Sequence, residues 1–378
     1  MFPVRSLLYL LVVVLFALGP SVQGASLPKG FLKQLAKVGV PTSAVSVFVQ
    51  RVDQDKPRLS VNADKALNPA SVIKVVTTMA ALDILGPDYT WRTKVYIDGR
   101  RDGDKLLGNL ILKGEGDPYF TPEQFWQLLY NVRSRGIREI DGDVILDASQ
   151  FESPKGRRAD FDGKPHRAYN ALPYALSLNF QAVQITVEPD ERKKGLRVLV
   201  YPPLDNLRIE NKAKLVKGKC TPKLSGPVVN VTREAGIPTV ELTGRMASGC
   251  DEAVFDYLLN TPNEQITGSF SEIWRQLGGS FTGQIKAGEL TDSARLVAEQ
   301  HSRPLAHAIW GVNKFSNNLM ARHTLLTLAA ENGDLPATPA AGVARVKRWM
   351  TSMGVKAPGL VIVNGAGLAR ETRISAQT

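Results

Sequence analysis

Hydrophobic and polar positions fall into three textures along this chain. At the start, residues 7–18 form an apolar run behind Arg5, followed by small residues around Val22-Gln23-Gly24. A run of about a dozen is short for a bilayer span, which needs about twenty. The order of charge, apolar run and small residues is that of a cleaved secretory leader over 1–24, with an uncleaved anchor as the alternative. Residues 44–52 then alternate partly between β-branched and polar positions, which predicts a strand, and 57–62 read as its hairpin partner. Pro69 opens a helix over 71–85 that is apolar nearly all round and so reads as buried, and Gly86-Pro87 stops it.

Beyond Tyr89 short strands recur between turn signals: 91–97, a turn at Asp98-Gly99, 106–112, 144–146, 196–201, 228–231 and 239–242. One helix is expected over 122–135, and 153–167 are polar. From about Asp292 helical spacing returns at 304–312, 317–330 and 340–353. A short strand at 361–363 leads into Asn364-Gly365-Ala366-Gly367. The simplest organisation is α/β (α+β), with one domain in two halves, 25–88 and 288–378, split by a β-rich insertion over 89–287.

Composition narrows the setting. The chain has 378 residues, 43% of them hydrophobic, enough for two or three packed cores. Its formal charge of +11 suits anionic surroundings. The basic residues are scattered. The nearest approach to a cluster, Lys212, Lys214, Lys217 and Lys219, has no interleaved aromatics, so nucleic-acid binding is not expected. No apolar run after the leader could span a bilayer, which leaves an exported protein of the periplasm or cell envelope with at most peripheral membrane association. Cys220 and Cys250 are the only cysteines and lack Cys-x-x-Cys spacing. In an oxidising compartment they are candidates for one disulfide, and two unpaired thiols are the alternative.

Metal and cofactor chemistry finds no anchor. His166, His301, His307 and His323 show no ligand spacing, no Gly-x-Ser-x-Gly elbow is present, and Gly114-Glu115-Gly116 lacks the third glycine of a dinucleotide loop. What remains is Ser-x-x-Lys. It occurs twice, at Ser26-Leu27-Pro28-Lys29, in a stretch without helical pattern, and at Ser71-Val72-Ile73-Lys74, where the apolar helix begins. On a helix, positions i and i+3 share a face, so Ser71 and Lys74 can meet. A lysine kept neutral by apolar neighbours can take the serine proton and create a nucleophile. Ser316-Asn317-Asn318 opens the helix over 317–330; serine and asparagine are also good N-caps, so alone this motif is ambiguous.

Together the motifs are more specific. An ordered set runs through Pro69-Ala70-Ser71-Val72-Ile73-Lys74, Gly114-Glu115-Gly116-Asp117-Pro118, Asp141-Gly142-Asp143-Val144, Tyr169-Asn170-Ala171-Leu172-Pro173, Ala175-Leu176-Ser177-Leu178-Asn179-Phe180 and Ser316-Asn317-Asn318-Leu319. It resembles the penicillin-recognising serine enzymes, and among them the penicillin-binding protein 4 type of D-alanyl-D-alanine carboxypeptidase and endopeptidase, whose catalytic domain is interrupted by β-rich insertions. The resemblance covers nearly all of the chain after the leader.

It implies peptidoglycan peptides as substrates, β-lactams as acylating inhibitors and no cofactor. By that resemblance Ser71 is the nucleophile, Lys74 its base, Ser316 the proton relay to the leaving nitrogen and Asn318 a holder of the substrate amide. Two departures stand out. The family's Gly-Ser-Gly-Leu-Ser turn is Gly365-Ala366-Gly367-Leu368-Ala369 here, and its Lys-Thr-Gly motif is absent. The expectation is a chain cut short before that motif and poor in turnover. A non-catalytic peptidoglycan-binding homologue and a serine β-lactamase are the competing readings. Lys74 needs its pKa lowered by roughly 3 units to act as a base, which burial against Ile73, Val75 and Val76 favours.

Overall fold

In the computed structural model residues 26–378 are described, apart from Glu191 and Lys193; the expected leader over 1–24 lies outside them. The chain divides into two units. One holds the described residues up to Pro69 together with Val355–Val361 and Glu371–Thr378, and the other holds Ala70–Gly354 and Ile362–Arg370.

The first unit carries helix α1 (Lys29–Lys37) and the antiparallel pair β1 (Val47–Val49) and β2 (Leu59–Val61), in register from Val47 opposite Val61 to Val49 opposite Leu59. The strands are shorter than the alternation suggested. Single bridges join Leu67 to Ile374 and Val361 to Arg373, so the expected strand at 361–363 is reduced to one bridged residue. The first Ser-x-x-Lys does meet a helix, contrary to its sequence pattern, because Pro28 serves as N-cap of α1. Ser26 and Lys29 are both exposed, so nothing there keeps an amine away from water.

The second unit is built on a seven-stranded sheet. Strands β3 (Arg92–Asp102) and β4 (Lys105–Gly114) form a long antiparallel hairpin. Asp98-Gly99, expected as a turn, lies inside it. Gly99 and Gly108 face each other at positive φ, and a Cβ on Gly99 would stand 2.3 Å from the Leu107 carbonyl oxygen. The missing side chains let the strands cross closely where the pattern alone suggested an end. β4 also pairs in parallel with β5 (Glu139–Asp141) and β6 (Val144–Asp147), which in turn pair with β15 (Ser280–Phe281) and β16 (Ile285–Ala287); β17 (Arg295–His301) closes the other edge on β3.

Two helices share this sheet's core. Helix α3 (Pro122–Ser134) is expected from its pattern; α4 (Pro262–Gln276) is not. Both start with a complete capping box, Thr121 with Gln124 and Thr261 with Glu264, and both place Pro at the first helical position. The α4 signal is therefore present in Thr261-Pro262-Asn263-Glu264 and obscured by Thr267-Gly268 within the helix. Gly268 sits there because a Cβ would meet the Asn206 side-chain oxygen at 2.3 Å. Phe125, Leu128, Leu129, Phe270 and Trp274 pack with Leu110, Leu112 and Val144 from the strands in one core.

A second core belongs to the strands between 183 and 257. β7 (Val183–Asp190) pairs with β8 (Gly195–Tyr201) and β14 (Ala253–Tyr257), and it buries Val183, Ile185 and Val187 in strict alternation. β12 (Ile237–Thr243) lies between β9 (Arg208–Asn211) and β11 (Val228–Glu234). β10 (Lys214–Lys219) runs parallel to β13 (Arg245–Gly249), and Cys220 and Cys250, each just past one of those strands, are joined by a disulfide.

The helical part comprises α2 (Ile73–Leu85), α5 (Leu305–Phe315), α6 (Asn318–Ala330) and α7 (Pro339–Ser352), with α2 packed on the other three. Helix α6 is buried at nearly every position, which explains why its apolar residues show no single face. α2 differs from its sequence reading. Ile73, Lys74, Thr77, Thr78, Ala80 and Ala81 are buried, whereas Val72, Val75 and Met79 form an exposed stripe.

Candidate active site

The site grows from the first turn of α2. Ala70–Val72 form a 3-10 turn that leads directly into the α-helix. Ala70 adopts φ 47°, a left-handed conformation that a side chain adopts only under constraint. The constraint is visible: a Cβ on Gly367 would lie 1.9 Å from the Ala70 carbonyl oxygen and 2.9 Å from the Ser71 nitrogen, so the glycine turn presses on this corner. Ser71 follows with its side chain exposed at the head of the helix.

Three residues on, Lys74 is 2% exposed. Its Nζ donates to Asn318 Oδ1 at 2.7 Å and to the Ala366 carbonyl oxygen at 2.5 Å. Both partners are neutral. Burial, with the positive charge of Arg322 as a second cause, pulls its pKa down to about 8. The neighbours that bury Lys74 are not quite those expected. Ile73 is buried, but Val75 faces outward, and enclosure comes from α6 and the glycine turn instead.

That turn is held by its own asparagine. Asn364 accepts from Ala366 N at 3.1 Å and donates to Leu368 O at 3.0 Å, while Thr77 Oγ1 donates to Gly365 O at 2.9 Å. The turn works through its backbone, so the alanines at 366 and 369 leave the carbonyl contact to Lys74 intact.

The Ser316-Asn317-Asn318 motif occupies the joint between α5 and α6. Ser316 is exposed at φ 55°, and the N-cap of α6 is Asn317, whose Oδ1 accepts from Met320 N at 3.0 Å. Among the described residues no hydrogen bond joins Ser316 to Ser71 or Lys74. Asn318 is buried, with Oδ1 on Lys74 and Nδ2 donating to the Tyr169 carbonyl oxygen at 3.0 Å. One turn further along α6, Arg322 Nη1 donates to Ala171 O at 2.9 Å. The structure thus joins Lys74 to Asn318, with Ser71 three residues before the lysine and Ser316 two residues before the asparagine. Cys250 belongs to the second core, and the exposed Cys220 is tied to it by the disulfide.

Sequence reasoning missed three participants: the Ala366 carbonyl, the Tyr169 carbonyl and Arg322. Backbone acceptors have no sequence signature. Arg322 had one, four residues after Asn318 and therefore on the same helical face.

Comparison with known proteins fits this geometry. A profile of the D-Ala-D-Ala carboxypeptidase 3 (S13) family matches residues 31–378. The chain belongs to that family. It is 21% identical over 336 residues to the D-alanyl-D-alanine carboxypeptidase DacB of Haemophilus influenzae, covering 89% of this chain and 69% of that protein. It is 24% identical over 333 residues to a D-alanyl-D-alanine carboxypeptidase of an Actinomadura species, covering 84% of this chain and 60% of that one. The chain therefore spans about two thirds of the length of these relatives. Among solved structures, penicillin-binding protein 4 of Haemophilus influenzae superposes with a TM-score of 0.71 at 21% identity, covering 87% of this chain and 72% of that one. The same protein in complex with a β-lactam gives 0.68. The α/β fold of this carboxypeptidase family member is thus that of the penicillin-binding protein 4 type.

Proposed function

We propose that this family member is a serine D-alanyl-D-alanine carboxypeptidase or endopeptidase of peptidoglycan that forms an acyl-enzyme on Ser71. The observation that carries the reading is the hydrogen bonding of Lys74. A neutral amine has two N–H bonds and one lone pair. Two carbonyl-type oxygens, which can only accept, take the two N–H bonds and leave the lone pair for a proton from Ser71. With its pKa near 8, about a tenth of the lysine is neutral at pH 7.

The sequence of events follows from those atoms. Ser71 Oγ attacks the carbonyl carbon of the penultimate D-alanine as its proton passes to Lys74 Nζ. The carbonyl electrons move to oxygen, and the Ser71 N–H donates to it, with a modest contribution from the helix dipole. The C–N bond then breaks, and the proton on Lys74 reaches the leaving amine through the Ser316 hydroxyl. Water hydrolyses the ester with Lys74 again as base. Asn318 holds Lys74 through Oδ1, and its second Nδ2 hydrogen is available for a substrate carbonyl.

The same reading makes β-lactams acylating inhibitors, places the protein in the periplasm or cell envelope, and assigns residues 89–287 as an insertion between two catalytic segments. No helix among the described residues is long and apolar enough to cross a membrane. Ala366 and Ala369, which replace both hydroxyls of the family's glycine turn, favour a second reading, a peptidoglycan-binding homologue without turnover. Labelled penicillin separates the two. A stoichiometric adduct mapped to the peptide containing Ser71 and absent from Ser71→Ala is expected. An unlabelled protein that still sediments with peptidoglycan supports the second reading, and label on another residue defeats the first. Release of D-alanine from a D-alanyl-D-alanine peptide tests turnover itself.

A further inference from the structure

Arg322 is the group at this site that the mechanism leaves unused. The residue is partly buried, and among the described residues no carboxylate is paired with it. Its Nη1 binds the Ala171 carbonyl, and among the described residues its buried Nε has no partner. Burying an uncompensated cation is costly, so an arginine kept in this state calls for a role.

Two neighbours point to one. The segment Ala168–Asn170 and the following Ala171 are held on one side by Asp162, which receives the Tyr169 hydroxyl at 2.6 Å and Asn170 Nδ2 at 2.8 Å. Arg322 holds the other side. Between these tethers the Tyr169 carbonyl meets Asn318 Nδ2. A carbonyl only accepts, so it forces the amide of Asn318 to present nitrogen to Tyr169 and oxygen to Lys74. Were the segment released, the amide could turn and aim N–H bonds at the lysine.

We propose that Arg322 is a positioning residue for the acylation step: it tethers the Tyr169–Ala171 segment that orients Asn318, and it sets a fixed positive charge beside Lys74. This rests on the reading of Lys74 as base. Other ionisable groups on the packed elements are His307 and Lys314 on α5, His323 on α6, Arg345, Lys347 and Arg348 on α7, and Asp83 on α2 itself. Asp83 accepts from Trp349 Nε1, and His323 is kept neutral by burial. Arg322 lies one turn of α6 beyond Asn318, the residue that binds Lys74, and its charge adds to burial in lowering the lysine's pKa.

The experiment follows Lys74 directly and through its chemistry. The side-chain NMR titration of Lys74, assigned with Lys74→Arg, is compared in the wild type, Arg322→Met and Arg322→Lys, alongside the pH dependence of acylation by labelled penicillin. Arg322→Met is expected to raise the Lys74 midpoint and the acid limb of acylation by about one unit, with acylation at pH 7 falling about tenfold. Arg322→Lys is expected to restore the limb. A rate that falls equally at every pH, with an unmoved Lys74 midpoint, means the arginine is only structural and overturns the proposal. If the wild type is not acylated, the reading of Ser71 fails while the Lys74 titration still decides the role of Arg322. Should Arg322→Met not fold, Arg322→Gln, which keeps a donor toward Ala171 O without the charge, reads the same shift.

Discussion

Lys74 shows how a single side chain can be prepared for chemistry by acceptors alone. Protonated, it carries three N–H bonds into a place that offers two carbonyl-type oxygens and no carboxylate; neutral, it fits. Lys74→Arg keeps the packing volume and a permanent charge but supplies no base, so acylation should fall about 10²- to 10⁴-fold across all pH values, measured with labelled penicillin. Gly367 is equally specific. At φ +75°, with its hydrogen against the Ala70 carbonyl, Gly367→Ala should lower the melting temperature and slow acylation together, since strain there moves the Ser71 corner. Asp117 gives a pH test away from the nucleophile. It is buried with one bond from Tyr119 N and, among the described residues, no partner for Oδ2, and burial pushes its pKa up to about 7. A carboxyl raised in the folded state costs nothing below its unfolded pKa, and stability is lost as pH rises through about 7. Asp117→Asn should therefore gain stability relative to wild type at pH 8, by up to about 4 kcal/mol, and little at pH 4, as read by denaturant unfolding. The nearby His323 runs the other way: its pKa is lowered to about 4 by burial, and its contribution is lost as pH falls below the usual histidine range. Asp117→Asn isolates the carboxyl from it.

At the scale of elements, local signals lie in the sequence where they act, as at α3, although the one at α4 is obscured by Thr267-Gly268. The capping boxes of α3 and α4, with Pro in the first turn, lie in short strings of residues, and Thr121→Ala or Thr261→Ala should each cost about 1 kcal/mol. Where an element is decided by a distant partner, the pattern misleads. The β3–β4 hairpin runs through Asp98-Gly99 because Gly108 stands opposite, and α4 accepts Gly268 because Asn206 occupies the space of its missing side chain. The exposed stripe of Val72, in the turn before α2, with Val75 and Met79 on it, is invisible in a stretch that is apolar nearly all round. The disulfide ties the exposed Cys220 to Cys250 of the second core. Its reduction should destabilise the strands between 183 and 257 by roughly 3 to 4 kcal/mol. Hydrogen exchange should show the loss there and leave the β3–β4 hairpin protected; equal loss in both would mean that the two cores unfold together.

For the molecule as a whole, the chain forms separate cores with different jobs. One joins the seven-stranded sheet to α3 and α4, another belongs to the strands between 183 and 257, and the helices α2, α5, α6 and α7 carry the site. A formal charge of +11 spread over such a surface should make binding to anionic cell-wall polymer weaken steeply with salt, which sedimentation with purified sacculi at rising ionic strength measures. The sequence by itself determined the fold class, the order of the motifs, the Ser71–Lys74 spacing and the identity of the two cysteines. Each of these is a matter of composition or of neighbours within a turn or two. Only the tertiary structure decided that Lys74 is enclosed by Asn318 and Ala366, that Tyr169 sets the face of Asn318, and that Arg322 supplies the nearby charge. Those contacts join residues far apart in the chain, two of them through backbone carbonyls that every residue possesses. No local pattern can mark them.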